Sequence, residues 1–247
     1  MEFLRVEKIS VSFEGVCVLN GVSFGMEKGE MVSILGLSGS GKSTLLNIIS
    51  GLLSPDEGRV FLNDEEITGQ PGHVSYMLQK DLLLPHKRII DNVGLSLVIQ
   101  GMGKSDARKK AECYFEQFGL AGTEYMYPSQ LSGGMRQRAA LLRTYLCSNG
   151  LVLLDEPFSA LDPITKSRMH EWYLKVAQKI KLTTLLITHD VDEAIRLSDR
   201  ICLLLGTPGE IRNIIEIKVP RDRREGFDLT PEFLSYKRQI ISLLGSA

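Results

Sequence analysis

The stretch Gly36-Leu37-Ser38-Gly39-Ser40-Gly41-Lys42-Ser43 decides the fold, because it matches the pattern G-x-x-x-x-G-K-[ST] of a phosphate-binding loop. It follows residues 31–35, which predict a buried strand, and precedes residues 44–50, which predict a helix with an apolar face. The three glycines lack a Cβ, so the backbone can curl with its N–H groups turned toward an anion. The positive end of the helix dipole adds to this site. The sequence therefore predicts a nucleotide-binding strand–loop–helix unit.

Two side chains at the end of this loop carry the charge and the metal ligand that phosphate chemistry needs. Lys42 brings an ammonium group to the outer phosphates. The hydroxyl of Ser43 can ligate Mg²⁺. The loop alone does not show what nucleotide hydrolysis would accomplish.

The composition indicates a folded domain with no strong charge bias. The 247 residues fit one large domain, or a domain with a subdomain. The net charge of -1 lacks the basic excess of a nucleic-acid-binding protein, so no nucleic-acid partner is expected. No apolar run approaches the ~18 residues of a membrane-spanning helix, and Glu2 and Arg5 stand where a signal peptide would need apolar residues. A cytoplasmic location is therefore expected.

Two acids follow a second buried strand. The apolar residues 151–154 are typical of a central strand of a parallel sheet, and Asp155 and Glu156 come directly after them. Adjacent carboxylates are costly to bury without a cation. Asp155 is expected to associate with Mg²⁺ and Glu156 to act as the general base for water. Either acid alone could instead cap a helix.

Three further residues have a structural and a functional interpretation. Gln79 follows a predicted strand at residues 74–78, and His189 follows another at residues 183–188, on the side of the sheet where α/β proteins bind ligands. Each could also be an ordinary surface residue. Phe13 ends the first predicted strand, and could stack on an adenine ring or lie in the core of a small β layer formed by the residues before the loop. Periodicity alone favours the core.

The middle of the chain changes from α/β to helical character. Three helices are predicted there, at residues 89–100, 105–118 and 133–148. Ser132 can cap the last of them, and Gly133 and Gly134 leave backbone N–H groups at its start. This arrangement is either a second anion-binding helix end or an ordinary glycine-rich cap.

The last part of the chain predicts a hairpin and a terminal helix. Strands are expected at residues 200–205 and 211–219, and a helix at residues 231–244. Between them, residues 221–224 (Arg-Asp-Arg-Arg) are interpreted as a solvated charged turn.

Six ordered motifs resemble those of the ATP-binding subunit of an ATP-binding-cassette (ABC) transporter, and the resemblance covers nearly the whole chain. The motifs are GLSGSGKS (residues 36–43), YMLQ (76–79), LSGGMRQR (131–138), LVLLDEP (151–157), SALD (159–162) and THD (188–190). The resemblance implies an α/β fold, with a RecA-like P-loop NTPase core, an N-terminal antiparallel β layer and an inserted helical subdomain. The expected bounds are a single domain over residues 1–247, comprising the core with β layer (1–80 and 150–217), the helical subdomain (81–149) and a C-terminal tail with a helix (218–247).

The resemblance also assigns roles around ATP and Mg²⁺. Glu156 is implied as the catalytic base and His189 as the switch residue at the γ-phosphate, with Gln79 reaching the metal and attacking water, and Lys42 as the fourth catalytic residue. The implied metal site comprises Ser43, Gln79 and Asp155. The implied nucleotide-binding residues are Phe13, which now matches an adenine-stacking aromatic, and Gly36, Ser38, Gly39, Ser40, Gly41, Lys42, Ser43, Thr44, Ser132, Gly133 and Gly134.

The implied assembly is a dimer of ATPase subunits, expected to be a homodimer, on the cytoplasmic face of the inner membrane. Residues 132–134 of each subunit would contact the γ-phosphate held by the other, and Asp162 would lie at the interface. Two integral-membrane permease subunits, and indirectly an external solute-binding protein, complete the expected peripheral membrane complex.

Within the family, the chain is similar to importer ATPases of the nitrate, sulfonate and taurine type, through PSQLSGGMRQR, DEPFSALD, THDVDEA and the tail PGEI followed by VPRDRR. Departures at Met135, at His86-Lys87-Arg88 and at Thr144-Tyr145 leave the solute open. The alternatives are an importer for another solute such as a thiamine precursor, an exporter, or a soluble cassette ATPase acting on nucleic acid.

Overall fold

Two β-sheets and a group of helices make up residues 2–245, the part of the chain that the computed structural model describes. Within that range the strands are β1 (Leu4–Phe13), β2 (Val16–Met26), β3 (Met31–Leu35), β4 (Glu57–Leu62), β5 (Glu65–Glu66), β6 (Ser75–Met77), β7 (Leu151–Asp155), β8 (Thr183–Thr188), β9 (Arg200–Leu205) and β10 (Glu210–Glu216). The α-helices are α1 (Lys42–Ile49), α2 (Ile89–Val93), α3 (Leu95–Ile99), α4 (Lys104–Glu112), α5 (Gly133–Cys147), α6 (Pro163–Ile180), α7 (Val191–Leu197) and α8 (Pro231–Gly245). The expected domain bounds also include residues 1, 246 and 247, which lie outside the described residues.

The larger sheet has the strand order β10-β9-β3-β8-β7-β6. β3 is parallel to β8 and β9, and β7 is parallel to β8 and β6, whereas β10 closes the edge as an antiparallel hairpin with β9. All five residues of β3 and all six of β8 are buried, which explains their continuous apolar or small composition. The strand ends that carry the predicted site residues therefore meet at one edge.

The smaller sheet is antiparallel, as predicted, with the order β2-β1-β4-β5. The expectation that it is built from the residues before the phosphate loop is only half right, because β4 and β5 come after the loop. β1 pairs with β2 along one edge and with β4 along the other, where Leu4 lies opposite Leu62.

The helical segment differs from the predicted one in two places. The helix predicted at residues 89–100 is divided at Gly94, where a Cβ would lie 3.4 Å from the carbonyl oxygen of Ala107, so the glycine allows close packing of α4. The helix predicted to reach residue 118 ends at Glu112 and continues as turns. These turns bury Phe118 against Tyr145 and Trp172, with ring centroids 5.7 and 5.8 Å apart. Tertiary packing of the aromatic rings replaces the last helical turn.

The charged turn predicted at residues 221–224 is wrong for Arg224, which is only 1% exposed. Its guanidinium donates to the carbonyl oxygens of Ser198 and Val219 at 2.7 and 2.9 Å, and to that of Arg196 at 3.3 Å. The last carbonyls of a helix lack intrahelical partners, so a guanidinium at the end of α7 satisfies groups that would otherwise be buried unpaired. Burial lowers the pKa of Arg224 to about 10, which still leaves it charged at neutral pH.

The neighbouring Arg221 also forms hydrogen bonds with distant parts of the chain. It donates to Asp199 Oδ1 at 2.9 Å and to the carbonyl oxygen of Gly29 at 2.6 Å.

Among residues 2–245, no helix is both long enough and apolar enough to cross a bilayer.

Replacing Arg224 with Met should lower the free energy of unfolding by about 2–4 kcal/mol, because the carbonyls at the end of α7 and the Asp199 carboxylate lose a buried charged partner. Urea denaturation at pH 7 measures this. The control is Arg223→Met, since Arg223 is exposed and its loss should change stability by at most about 0.5 kcal/mol. Equal effects of the two substitutions would contradict the assignment of Arg224 to the core.

Candidate active site

A cavity of about 530 Å³ lies at the carboxyl edge of the larger sheet, between β3 and β7. It is lined by residues from the loop, the β2 strand and the ends of β7 and β8, namely Val18, Ser38, Gly39, Gly41, Lys42, Ser43, Thr44, Glu156 and His189. The structure therefore brings loop, acid and histidine together, as the sequence predicts.

The phosphate loop has a backbone that only glycine adopts easily. Gly39 and Gly41 have φ of +85° and +91°, in the left-handed region. A Cβ at Gly41 would lie 2.6 Å from Leu19 Cδ2, and a Cβ at Gly36 would lie 2.4 Å from the carbonyl oxygen of Leu204. Curling of the loop and its packing against β2 and β9 thus both depend on these glycines.

Lys42 is folded back onto its own loop. Its ammonium donates to the carbonyl oxygens of Gly36 at 2.9 Å and Leu37 at 2.7 Å. Burial lowers its pKa, and the negative charges of Glu156 and Asp155 oppose that effect without cancelling it. A partly desolvated cation therefore faces two acids across the cavity.

Ser40 lies inside the loop and Ser43 and Thr44 lie in the first turn of α1. Ser40 is buried, and its hydroxyl has no hydrogen-bond partner among residues 2–245. Ser43 is exposed to the cavity, and Thr44 is half-buried. The side chain of Ser43 thus reaches the cavity, and its role as a metal ligand stays a prediction.

Asp155 ends β7 and is half-buried. The Tyr76 hydroxyl donates to its Oδ2 at 3.3 Å. Burial raises the pKa of Asp155, and hydrogen bonds from Tyr76 and Ser43 together with the charge of Lys42 only partly offset the increase. A carboxylate in this state is poorly compensated and would gain from a cation beside it. Tyr76 was missed as a contact of the acid, because only the pairing of β6 with β7 places it there.

Glu156 is the centre of a small hydrogen-bonded group. Its backbone has a φ of +46°, unusual for a residue other than glycine, and its N–H donates to the carbonyl oxygen of Ile187 at 3.0 Å. Its Oε1 lies 2.9 Å from Nδ1 of His189, and its Oε2 accepts from Nε2 of Gln79 at 3.3 Å. The same amide also donates to the Ser159 hydroxyl at 3.3 Å. Gln79 and His189, predicted from two other motifs, therefore each contact Glu156.

The second predicted anion-binding end lies elsewhere on the same chain. Ser132 caps α5 by accepting from the N–H of Met135 at 3.3 Å, and Gly133 and Gly134 form its first turn. A Cβ at Gly134 would lie 3.3 Å from Thr165 of α6. None of residues 132–134 belongs to the cavity lining.

The part of the cavity next to the β1–β2 hairpin is only partly predicted. Phe13 stands at the end of β1, opposite Val16 in the hairpin, and is 45% exposed, so it lies outside the core. It does not belong to the lining, whereas Val18 of β2 does. Val18 was missed, because an apolar residue in a strand carries no signal for binding.

The matching family model, described as ABC transporter, covers residues 19–159. The formylaminopyrimidine import ATP-binding protein ThiZ of Halalkalibacterium halodurans is 44% identical, over 98% of this chain and 96% of that protein. The nitrate import ATP-binding protein NrtD of Synechocystis is 36% identical, over 99% of this chain and 94% of that protein. The chain therefore belongs to the ATP-binding subunits of ABC transporters, which are ATPases coupled to transport.

Solved structures support the same assignment of the fold. The dimeric bacterial ABC transporter cassette MJ0796 matches with a TM-score of 0.74 at 28% identity, over 88% of this chain and 100% of that one. The same cassette has been solved as a dimer in a post-hydrolysis state bound to ADP and Pi. The predicted α/β P-loop fold and the family resemblance are confirmed, and cassettes of this kind bind adenine nucleotides.

Replacing Asp155 with Asn should stabilise the nucleotide-free protein at neutral pH. Because the pKa of Asp155 is higher in the folded than in the unfolded protein, the free energy of unfolding falls as the pH rises through the unfolded-state pKa and stops falling above the folded-state pKa. The gain from the substitution should be absent at pH 3 and grow as the pH rises toward 7. Thermal unfolding of both proteins across this range measures it, with the exposed Asp222→Asn as control. A loss of stability at pH 7 would contradict the argument.

Proposed function

We propose that this chain dimerises around two ATP molecules with Mg²⁺ and powers a membrane importer for a small solute. The contact of Glu156 with both Gln79 and His189 carries this proposal, since Glu156 and His189 line one cavity with Lys42. These are the residues that a phosphoryl-transfer site needs next to one another, and they come from different strands.

The donor set fits Mg²⁺. Among residues 2–245, no group of three or more His, Cys, Asp and Glu side chains could hold a metal by itself. Mg²⁺ is usually held by one or two carboxylates together with substrate phosphates and water, so such a group is not required. Ser43, Gln79 and the poorly compensated Asp155 would hold the ion, which would neutralise charge on the phosphates.

The remaining residues have distinct tasks in hydrolysis. The loop N–H groups and Lys42 would bind the phosphates, with the ammonium exchanging the carbonyls of residues 36 and 37 for phosphate oxygens. Glu156 would take the proton of the attacking water, while His189 would hold the acid through Nδ1 and contact the γ-phosphate. Phe13, at the exposed end of β1, would stack on adenine.

The site is completed by a second subunit. Residues 132–134 do not line the cavity of their own chain, and they form the start of α5, where backbone N–H groups have no intrahelical partners. A head-to-tail homodimer would place them over the partner's γ-phosphate, with Asp162 at the interface. The solved MJ0796 cassette is dimeric, which supports the pairing of two such subunits.

The membrane partner would contact a groove next to Gln79. This groove, of about 230 Å³, lies between β6 and the helices α3 and α5, and exposed Leu78, Leu82 and Ile99 contribute to it. Apolar side chains exposed in this way are typical of a protein interface. One permease subunit docked at this groove of each ATPase subunit would hold the dimer on the cytoplasmic face of the inner membrane.

Two solute classes have support. The resemblance to nitrate, sulfonate and taurine importers predicts a small anion, and the 36% identical nitrate relative agrees with it. The 44% identical relative named for formylaminopyrimidine import favours a thiamine precursor instead. Solute choice would reside in the permease and the external binding protein.

The variants Lys42→Ala and Glu156→Gln separate binding from hydrolysis. Lys42→Ala should weaken ATP binding, since the phosphates lose a charge. Glu156→Gln should retain ATP binding, lower the hydrolysis rate at least about 100-fold and accumulate an ATP-bound dimer. Phosphate release and size-exclusion chromatography measure these effects, with the exposed Glu216→Gln as control. Normal hydrolysis by Glu156→Gln would refute the base assignment.

Affinity purification from native membranes should recover two permease subunits with the wild-type chain. Ile99→Asp should lose them and keep basal ATPase activity, because it places a charge in the groove. The control is Leu229→Asp, since Leu229 is 86% exposed in the tail, outside the groove. Stimulation of the purified complex by nitrate, taurine or a pyrimidine, each with the binding protein, then identifies the solute. Recovery of nucleic acid instead of permeases would refute the proposal.

A further inference from the structure

A buried charged cluster lies behind His189, between α6 and α7. Its centre is the carboxylate of Glu193, which is only 2% exposed. Glu193 Oε2 accepts from the Thr188 hydroxyl at 2.7 Å and lies 3.6 Å from Nζ of Lys166. Its Oε1 lies 3.6 Å from Nε2 of His170, and neither of these two atoms has a hydrogen-bond partner among residues 2–245. None of Lys166, His170 and Glu193 lines the cavity.

This cluster holds both chain neighbours of His189. On one side, the Thr188 hydroxyl donates to Glu193 and also accepts from the N–H of Asp190 at 3.0 Å. On the other side, Asp190 Oδ2 accepts from Lys166 at 2.6 Å. The backbone at His189 is therefore fixed from both directions by the same pair of opposite charges.

His189 itself depends on that support. Its side chain is 58% exposed, so core packing does little to hold it, and its ring meets Glu156 at the cavity. The position of the His189 ring is therefore determined mainly by the backbone to which it is attached. A small shift of the segment 188–190 would move the imidazole away from Glu156.

The contact between Lys166 and Asp190 favours the charged form of each group. Burial alone would lower the pKa of Lys166, but hydrogen bonding to Asp190 and the charges of Glu193 and Asp190 outweigh burial and raise it. Burial would raise the pKa of Asp190, and the hydrogen bond from Lys166 with the N–H groups of α7 lowers it instead. Buried opposite charges with this geometry impose a specific arrangement, and removing one leaves the others uncompensated.

We propose that Glu193 and Lys166 are positioning residues that fix His189 against Glu156 and link that histidine to the start of α6. Lys166 is one turn into α6, and its N–H donates to the carbonyl oxygen of Asp162, the residue that caps this helix. The importance of His189 in hydrolysis, and of Asp162 at the subunit interface, rests on the proposed function. A movement of Asp162 on dimer closure would thus displace Lys166 in the next helical turn, and Lys166 would shift Asp190, the neighbour of His189.

The test compares Glu193→Gln and Lys166→Met with Lys237→Met. Lys237 of α8 forms an exposed ion pair at 2.7 Å with Asp192 of α7, and it has no hydrogen bond or ion pair with residues 188–190. Both cluster variants should lower kcat for ATP at least fivefold and change KM less than twofold, whereas the control should change neither. In a His189→Ala background the cluster substitutions should have no further effect on kcat.

A spectroscopic measurement follows the position of the ring directly. The chain has four histidines, at positions 73, 86, 170 and 189, so ¹⁵N-labelled histidine gives few signals and His189→Ala assigns one of them. The His189 resonance should shift in both cluster variants and stay in place in the control. Folding of each variant is checked by its thermal midpoint.

Each outcome is decisive for one of the two claims. Unchanged kcat and an unshifted His189 resonance in the cluster variants overturn the positioning role, even where His189→Ala abolishes turnover. The positioning role is also overturned if the cluster substitutions lower kcat further in the His189→Ala background, or if they raise KM by as much as they lower kcat. Either result would leave the cluster with a structural role only. Normal turnover by His189→Ala refutes the catalytic role of His189 in the proposed function, whereas the shifted resonance would still establish the positioning.

Discussion

The register between β3, β8 and β7 is the constraint on which the site depends. Leu35 lies opposite Thr188, and Asp155 lies opposite Ile187, so three strands end at the same level. Neighbouring strands are ~4.8 Å apart, which brings the loop, the acids and the histidine within reach of a single ligand. A shift of one residue in any of these strands would turn the site residue of that strand toward the opposite face. The buried apolar composition of the strands fixes the register, and hence a hydrophobic interaction determines the geometry of a polar site.

Burial has opposite effects on the two kinds of charge in this site. It lowers the pKa of Lys42 and raises that of Asp155, so burial disfavours the charged form of each group. The attraction between Lys42 and Asp155 offsets only part of the cost of burying these charges. A nucleotide phosphate beside Lys42 and a cation beside Asp155 can offset the remainder. The arrangement is typical of functional sites, where the protein holds charged groups in a state that it would not select for stability.

Local motifs were sufficient to predict the central part of the fold. β3, β8 and β9 begin and end where the sequence predicts them, because buried strands between turns leave a clear pattern, and the loop, Glu156, Gln79 and His189 follow from strand ends. What the sequence did not predict depends on residues far apart in the chain. The contact of Tyr76 with Asp155 needs the β6–β7 pairing, and the division of the helix at Gly94 needs the approach of α4. Arg224 has a charged, turn-like sequence context, and only the distant end of α7 explains its burial.

That buried arginine changes how the C-terminal tail is understood. α7 begins at the residues after His189 and is only seven residues long, too short to be stable in water by its own hydrogen bonds. Asp190 satisfies N–H groups at its first turn, and Arg224 satisfies carbonyls at its end, from 26 and 28 positions further along the chain. A chain cut after the β9–β10 hairpin would therefore leave the carbonyls at the end of α7, the helix that follows His189, without this buried partner.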